Sequence, residues 1–425
     1  SIRAMNNLNK YEIEIPSNIS FDSLYDIELV KIMNIITVAG YKVWIVGGAV
    51  RNVLLGISVK DVDVATDIKP DILGKILSEH NIKFVPTGIE HGTITVILNN
   101  KIFEVTTLRK DLLTDGRRAK VSFLDDIYID AKRRDFTINA LYLSSEGRLY
   151  DPLNSYKHIL EKKLCFIGNP ENRIKEDALR ILRFFRINSQ LEFCIIEQES
   201  LNACVKNKDL LNKLSSERIQ KEIIFLLNTN NPITILRIMI RNGICNVLDL
   251  DFTNLNYLSR FLDIEKELEL NINTFFRLYV LLGKTEDKKS LSEKVKVLKL
   301  SNDKKKYLLS LVQGKLFSLD INNLDLKKII YNRGKGLALD TLLLGWIFDN
   351  KKTNNLLWKD LYFKVCRIII PDFPIHGSDL IEVGFLPGKY LGEVLSNLEN
   401  YWINKNFEPT KDNLLKEATK YSKAT

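Results

Sequence analysis

"VGGAVRNVLLGISVKDVDVATD", residues 46–67, sets a glycine pair directly after an apolar run. It then places two carboxylates, Asp61 and Asp63, two residues apart in a valine-rich segment. On a strand, residues i and i+2 point to the same face. Like charges side by side repel, so the arrangement is costly unless a cation sits between them. Gly47 and Gly48 let the backbone approach a bulky anion, and their amides can face phosphate oxygens at a helix N-terminus. Arg51, one turn into that helix, brings a planar donor fork to the same place. The paired aspartates suit Mg²⁺, a hard ion that prefers oxygen ligands. Glu104, in "FEVTT", lies on a neighbouring predicted strand and supplies a third carboxylate. Each feature alone has a plainer account, since a lone glycine pair is weak and D-x-D on an edge strand is commonly solvent-facing. Jointly they specify metal-assisted phosphoryl or nucleotidyl transfer.

Outward from this segment, the first third of the chain reads as mixed α/β. "DIELVKIMNIITVAG" has helical spacing, "KVWIVGG" is a strand running into a glycine turn, and "AVRNVLLG" is a short helix ended by Gly56. "DVDVAT", "TITVILN" and "KIFEVTTLR" read as strands, with the helix "DILGKILSEHN" between the first two. "DLLTDGRRAKVSF" is polar and turn-rich, and "GRLYDP" closes the unit. From about Asn154 the pattern changes: "IKEDALRILRFFRIN", "SERIQKEIIFLLN" and "PITILRIMIRNG" keep apolar residues at i, i+3, i+4 and i+7. The remaining two thirds therefore read as nearly all helical, with a weak boundary near "NTNNP" and a Lys-rich stretch around 284–307.

Bulk properties narrow the class. A chain of 425 residues, 45% of them hydrophobic, has enough apolar material for real cores and suggests roughly three domains. The formal charge of +9 suits a polyanionic partner such as nucleic acid, although an acidic membrane surface also fits. No apolar run approaches the length a bilayer needs, and "SIRAMNNLNKYEIE" lacks the apolar centre of a signal peptide. The cysteines are scattered without a C-x-x-C pair and the histidines are few, which argues against a disulfide frame, a zinc knuckle or a His-based metal site. The expected setting is cytoplasmic, or organellar if the source is eukaryotic.

"GGAVRNVLLGISVKDVDVATD" resembles the signature of the nucleotidyltransferase superfamily in its tRNA nucleotidyltransferase/poly(A) polymerase branch. "RRDFTINALY" (133–142), "EDALRILRFFR" (176–186) and "SSERIQKEI" (215–223) resemble that branch's remaining motifs, in the right order. The match is nearest to class II CCA-adding enzymes and runs from about 45 to 223, with "GSDLIEVGFLPGKYLGEVL" resembling the family's tail less specifically. One departure is Asn52, where the family more often has Asp. The resemblance implies an α+β protein: an N-terminal α/β head with a small mixed sheet over residues 1–153, then a helical neck (154–228), body (229–300) and tail (301–425).

It also implies roles. Asp61 and Asp63 would bind metal, two Mg²⁺ being expected, with Glu104 as the third acid converging on the same ions. Gly47, Gly48, Arg51 and Arg134 would contact the incoming nucleotide, and Asp135 and Asn139 would complete the sugar and triphosphate site. In "EDALRILRFFR", Asp177, Arg180, Arg183 and Arg186 recur every three residues and stay near one helix face. A carboxylate beside a guanidinium matches the Watson–Crick edges of cytosine and adenine, an amino donor next to a ring-nitrogen acceptor. Uracil and guanine present the reverse order. The interleaved Leu179, Ile181, Leu182, Phe184 and Phe185 indicate a largely buried helix, whose three arginines need anions.

"LRKDLLTDGRRAKVSF" (108–123) corresponds to a flexible loop that class II enzymes associate with the switch from adding C to adding A. Arg109, Asp111, Asp115 and Arg117 would act there, a solvated surface loop being the plain alternative. "FVPTGIEHGTITV" (84–96) resembles the form found in CCA-adding enzymes more than the basic version of bacterial poly(A) polymerases. The expected activity is CCA addition to the 3′ end of tRNA from CTP and ATP, with pyrophosphate released. The alternatives are a poly(A) polymerase, an A-adding enzyme of a split pathway, or a non-catalytic RNA-binding protein. The sequence fixes no oligomeric state.

Overall fold

The computed structural model describes residues 8–88, 91–114, 119–193, 195–283, 287–312 and 317–421. Its N-terminal part is built on one mixed sheet of eight strands, in the order β1 (Glu12–Ile13), β10 (Leu149–Tyr150), β9 (Tyr142–Ser144), β2 (Val43–Val46), β3 (Asp63–Thr66), β6 (Lys101–Thr107), β5 (Thr93–Leu98) and β4 (Lys83–Gly88). Every neighbouring pair is antiparallel except β3 and β6, which run parallel.

The central strands read as unbroken apolar runs because both of their faces are covered. All four residues of β2 are buried, as are Val64, Ala65 and Thr66 of β3. Register sorts them by face. Trp44 opposes Ala65 and Val46 opposes Asp63, while Ile45 opposes Val64 on the other side. Trp44, Val46 and Ala65 join a core cluster with Ile127 and Ala131 of the Ile127–Arg133 helix, Leu108 and Tyr142. That helix therefore packs on the sheet face that also carries Asp63, and Arg134, which caps its end, stands near Asp63 at the start of β3.

Two readings change in detail. "DVDVAT" does not extend as far as expected: β3 begins at Asp63, and Asp61 lies on the approach to it. The polar segment after Leu108 is not simply a loop. It forms an antiparallel pair of β7 (Arg109–Thr114) and β8 (Ala119–Phe123), which among the described residues pair only with each other. A ribbon outside the main sheet needs no continuous apolar face, so its composition gives no strand signal.

The chain divides into two compact units: Ser1–Phe252 with Val297–Lys299, and Thr253–Lys296 with Leu300–Thr425. In the first, the Leu179–Gln190 helix packs against the Ser216–Leu227 and Ile233–Arg241 helices. It is joined to the sheet region by aromatic rings: Phe136 lies 4.8 Å from Phe166, which stacks 5.8 Å from Phe184. The second unit is helical. Its buried elements include an Arg277–Glu265 ion pair and a cluster around Trp402, Phe385 and Leu398.

Ile45 is fully buried on the strand flanked by β3 and β9. Ile45→Ala is expected to destabilise the protein by about 2–5 kcal/mol in chemical denaturation. A loss under about 1 kcal/mol would show that this strand is not central to the core.

Candidate active site

Three strands position the acids. Val46 opposes Asp63 across the antiparallel β2–β3 pair, and Asp63 is the register partner of Glu104 across the parallel β3–β6 pair. The glycine turn that follows Val46 is thereby set against the first carboxylate of β3. Gly47 has φ +74°, a conformation that favours glycine. A Cβ there would lie 3.8 Å from both Asp63 Oδ2 and Arg134 Nη1. Gly48 opens the Gly48–Leu54 helix, and a Cβ on it would stand 3.2 Å from Arg51 Nη2.

Asp63 keeps solvent-exposed surface yet has protein packed around it. Burial raises its carboxyl above the ordinary range, Glu104 and Asp61 add to the shift, and Arg134 opposes it. A divalent cation would relieve this crowding, and hard oxygen donors are the right chemistry for Mg²⁺. Among the described residues, no three His, Cys, Asp or Glu side chains close on a common point. Asp63 and Glu104 are register partners on one sheet face, Asp61 lies just before β3, and both neighbours act on Asp63 electrostatically.

Beside the acids lies a polar chain that crosses from the sheet to the helices. Arg51 is buried, and it donates through Nη1 to Asn139 Oδ1 (2.7 Å) and through Nε and Nη2 to Asn52 Oδ1 (3.0 and 2.8 Å). Its partners are amides. Burial pulls its guanidinium down to about 10, with Asp135 opposing and Arg186 and Arg183 adding to the fall. With Asn52, the departure from the family pattern, this buried cation hydrogen-bonds to no carboxylate among the described residues. Asn139 donates to Asp135 Oδ1 (3.2 Å), and Asp135 Oδ2 accepts from Arg183 Nε (2.8 Å) and Nη2 (2.5 Å). Burial alone would raise the Asp135 carboxyl, but Arg183, Asn139 and the Phe136 amide hold it well below the carboxylate range.

The three helical arginines have their anions, and these are protein carboxylates. Arg180 Nη1 pairs with Glu176 (2.7 Å), Arg183 with Asp135, and Arg186 Nε with Glu222 (2.5 Å). Asp177 accepts from Arg218 Nη2 (2.7 Å) and from the Leu179 amide. The two expected base readers therefore each hold a protein partner. Glu222 and Arg218 were not singled out beforehand, because their partners lie 36 and 41 residues away and no local spacing reveals them. Arg173 was missed too; it donates to the carbonyls of Arg133 (2.5 Å) and Arg134 (2.6 Å), tying the helices to the RRD turn.

Of the hairpin residues, the Arg109 amide donates to Asp130 Oδ1 (3.1 Å). Asp111 lies on β7 opposite Val121, its side chain outside the description, and Asp115 and Arg117 lie outside the described residues.

This arrangement matches a known class. Residues 43–165 match the Poly A polymerase head domain, 195–252 a probable RNA- and SrmB-binding site of polymerase A, and 266–418 the putative tRNA nucleotidyltransferase domain 2. The class is that of nucleotidyltransferases with a polymerase-type head. The chain is 34% identical over 396 residues to the CCA-adding enzyme of Ligilactobacillus salivarius, covering 90% of this chain and 93% of that one. It is 32% identical to the mitochondrial CCA tRNA nucleotidyltransferase 1 of Danio rerio, covering 93% and 91%. The fold aligns with the Bacillus stearothermophilus CCA-adding enzyme in complex with CTP at a TM-score of 0.74 and 26% identity, covering 92% and 96%. The chain belongs to the CCA-adding tRNA nucleotidyltransferase family.

Asp135 links the sheet to the helical arginine, and its charge makes that link pH-dependent. Its carboxyl is held below its unfolded value of about 3.9, so its stabilisation is complete above about pH 4 and is lost as pH falls toward the folded value. Asp135→Asn is expected to cost about 1–3 kcal/mol at pH 7 in urea unfolding, with the difference narrowing below about pH 4. A difference independent of pH would contradict the assignment.

Proposed function

We propose that the protein builds and repairs the CCA at the 3′ end of tRNA, taking CTP and ATP without a nucleic-acid template and releasing pyrophosphate. The observation that carries this is the shared register of β2, β3 and β6. It sets the glycine turn, Asp63 and Glu104 at one end of one sheet face, with Asp61 just before them. Asp61 and Asp63 would hold Mg²⁺, two ions by family resemblance, with Glu104 as the neighbouring acid. Such ions lower the pKa of an attacking hydroxyl and offset charge on a phosphate.

The chain's own residues supply the rest. The Gly47 turn leaves room for phosphate oxygens beside Asp63, and Arg134 presents a donor there. Arg51, whose hydrogen-bond partners among the described residues are the amides of Asn52 and Asn139, adds positive charge there. Asp135, Asn139 and Arg183 form the wall next to it. Asp177 and Arg180 would read the base, exchanging Arg218 and Glu176 for a Watson–Crick edge. Asp177 accepts the amino hydrogen and Arg180 donates to the ring nitrogen of cytosine or adenine. Uracil or guanine sets a carbonyl against the carboxylate and leaves desolvated groups unpaired, about 1–3 kcal/mol for each.

The head, neck, body and tail division at 153, 228 and 300 fits this reading, the tail holding the acceptor arm by shape and backbone. The β7–β8 hairpin would adjust the pocket between C and A. Among the described residues no helix is long and apolar enough to cross a membrane. The place of action is the compartment where tRNA matures: the cytoplasm, or an organelle in a eukaryotic source.

Purified protein incubated with tRNA lacking CCA should add CC from CTP alone and complete CCA once ATP is present. Long runs of A would identify a poly(A) polymerase, and failure to use CTP an A-adding enzyme. Asp61→Ala should slow transfer by about a thousandfold or more, equivalent to some 4 kcal/mol, with tRNA retention on filters unchanged. Undiminished transfer would remove Asp61 from the reaction, and loss of tRNA retention would favour a role in RNA binding.

A further inference from the structure

Asp130 is absent from every set of residues the sequence singled out. It is fully buried in the first turn of the Ile127–Arg133 helix, where an unpaired carboxylate would be severely destabilising. Each oxygen is instead doubly engaged. Oδ2 accepts from Tyr142 Oη (2.7 Å) and Arg134 Nη2 (3.1 Å), and Oδ1 from Arg133 Nε (2.8 Å) and the Arg109 amide (3.1 Å). Burial would raise this carboxyl, but Arg134, Arg133 and Tyr142 outweigh it and bring it down to about 2. It stays charged wherever the protein is folded and working.

Arg134 is gripped on two of its three sides. Nη2 goes to Asp130, Nε donates to Tyr142 Oη (3.1 Å), and the guanidinium carbon lies 5.3 Å from the centre of the Tyr142 ring. Tyr142 is itself fully buried on β9, and burial above all keeps its phenol protonated. The remaining corner, Nη1, has no hydrogen-bond partner among the described residues. It faces the turn where a Cβ on Gly47 would come within 3.8 Å of it and of Asp63 Oδ2 alike. Arg134 thus stands between two carboxylates, Asp130 beneath it and Asp63 in front.

We propose that Asp130, with Tyr142, is the positioning residue that holds Arg134 with Nη1 turned to the substrate's phosphates and keeps its guanidinium from collapsing onto Asp63. The proposal rests on the nucleotide site argued above. Released from Asp130, Arg134 is drawn to the next carboxylate, which occupies its donor and neutralises a residue assigned to the metal.

The test uses the full chain. Asp130→Asn keeps the side-chain volume and removes the charge; Tyr142→Phe removes one hydroxyl and decides the matter if the first variant does not fold. CTP dissociation constants, KM and kcat are measured for each, alone and in an Arg134→Ala background. Asp130→Asn is expected to weaken CTP binding and raise its KM by about tenfold, and Tyr142→Phe by a smaller factor in the same direction. Neither should weaken CTP binding further once Arg134 is alanine, although the loss in melting temperature persists. Unchanged CTP affinity in a folded variant overturns the proposal. So does an equal loss in the Arg134→Ala background, which would mark Asp130 as merely structural. Wild-type protein that binds no CTP would instead refute the nucleotide site itself.

Discussion

The site depends on the alignment of three strands. β3 is held antiparallel by β2 on one side and parallel by β6 on the other, and both registers coincide at Asp63. Because side chains alternate along a strand, a slip of one residue in either pairing would send Asp63 or Glu104 to the opposite face. The apolar partners forbid that slip: Ile45, Val64 and Val105 fill one side, and Trp44, Val46 and Ala65 the other. The hydrophobic core thus fixes the placement of charges that would repel one another if brought together freely.

From that fixed point the structure extends as a relay of charged and amide groups. The Ile127–Arg133 helix packs into the cluster beside Trp44 and ends at Arg134, next to Asp63. The following turn presents Asp135 to Arg183, and the stacked rings of Phe136, Phe166 and Phe184 keep that approach in place. Arg173 closes the connection by binding the two carbonyls of the turn. The sheet acids, the Arg134–Asp135 turn and the Leu179–Gln190 helix are therefore parts of one compact unit.

Much of this was legible in the chain itself. The glycine pair and the two aspartates that follow it mark the segment, although β3 begins at Asp63 and leaves Asp61 just before the strand. The apolar residues interleaved with Arg180, Arg183 and Arg186 mark a buried helix whose arginines need anions, and each has a carboxylate. Their identity was not legible, since Glu222 and Asp135 come from other elements and only the tertiary fold brings them in. The β7–β8 hairpin escaped notice because it pairs with itself and needs no apolar stripe. Asp130 was overlooked although it stands four residues before Arg134 on a helix, a spacing that places the two side by side. A buried carboxylate in a charged segment simply reads as surface.

Asp61 and Asp63 are expected to hold a divalent ion within reach of a triphosphate. Anomalous diffraction from crystals of the protein grown with Mn²⁺ and CTP tests it most directly. Metal density is expected in direct contact with the Asp61 and Asp63 carboxylates and the nucleotide's phosphates, with Arg134 alongside. Metal bound elsewhere, or CTP seated away from the β2–β3 turn, would contradict it.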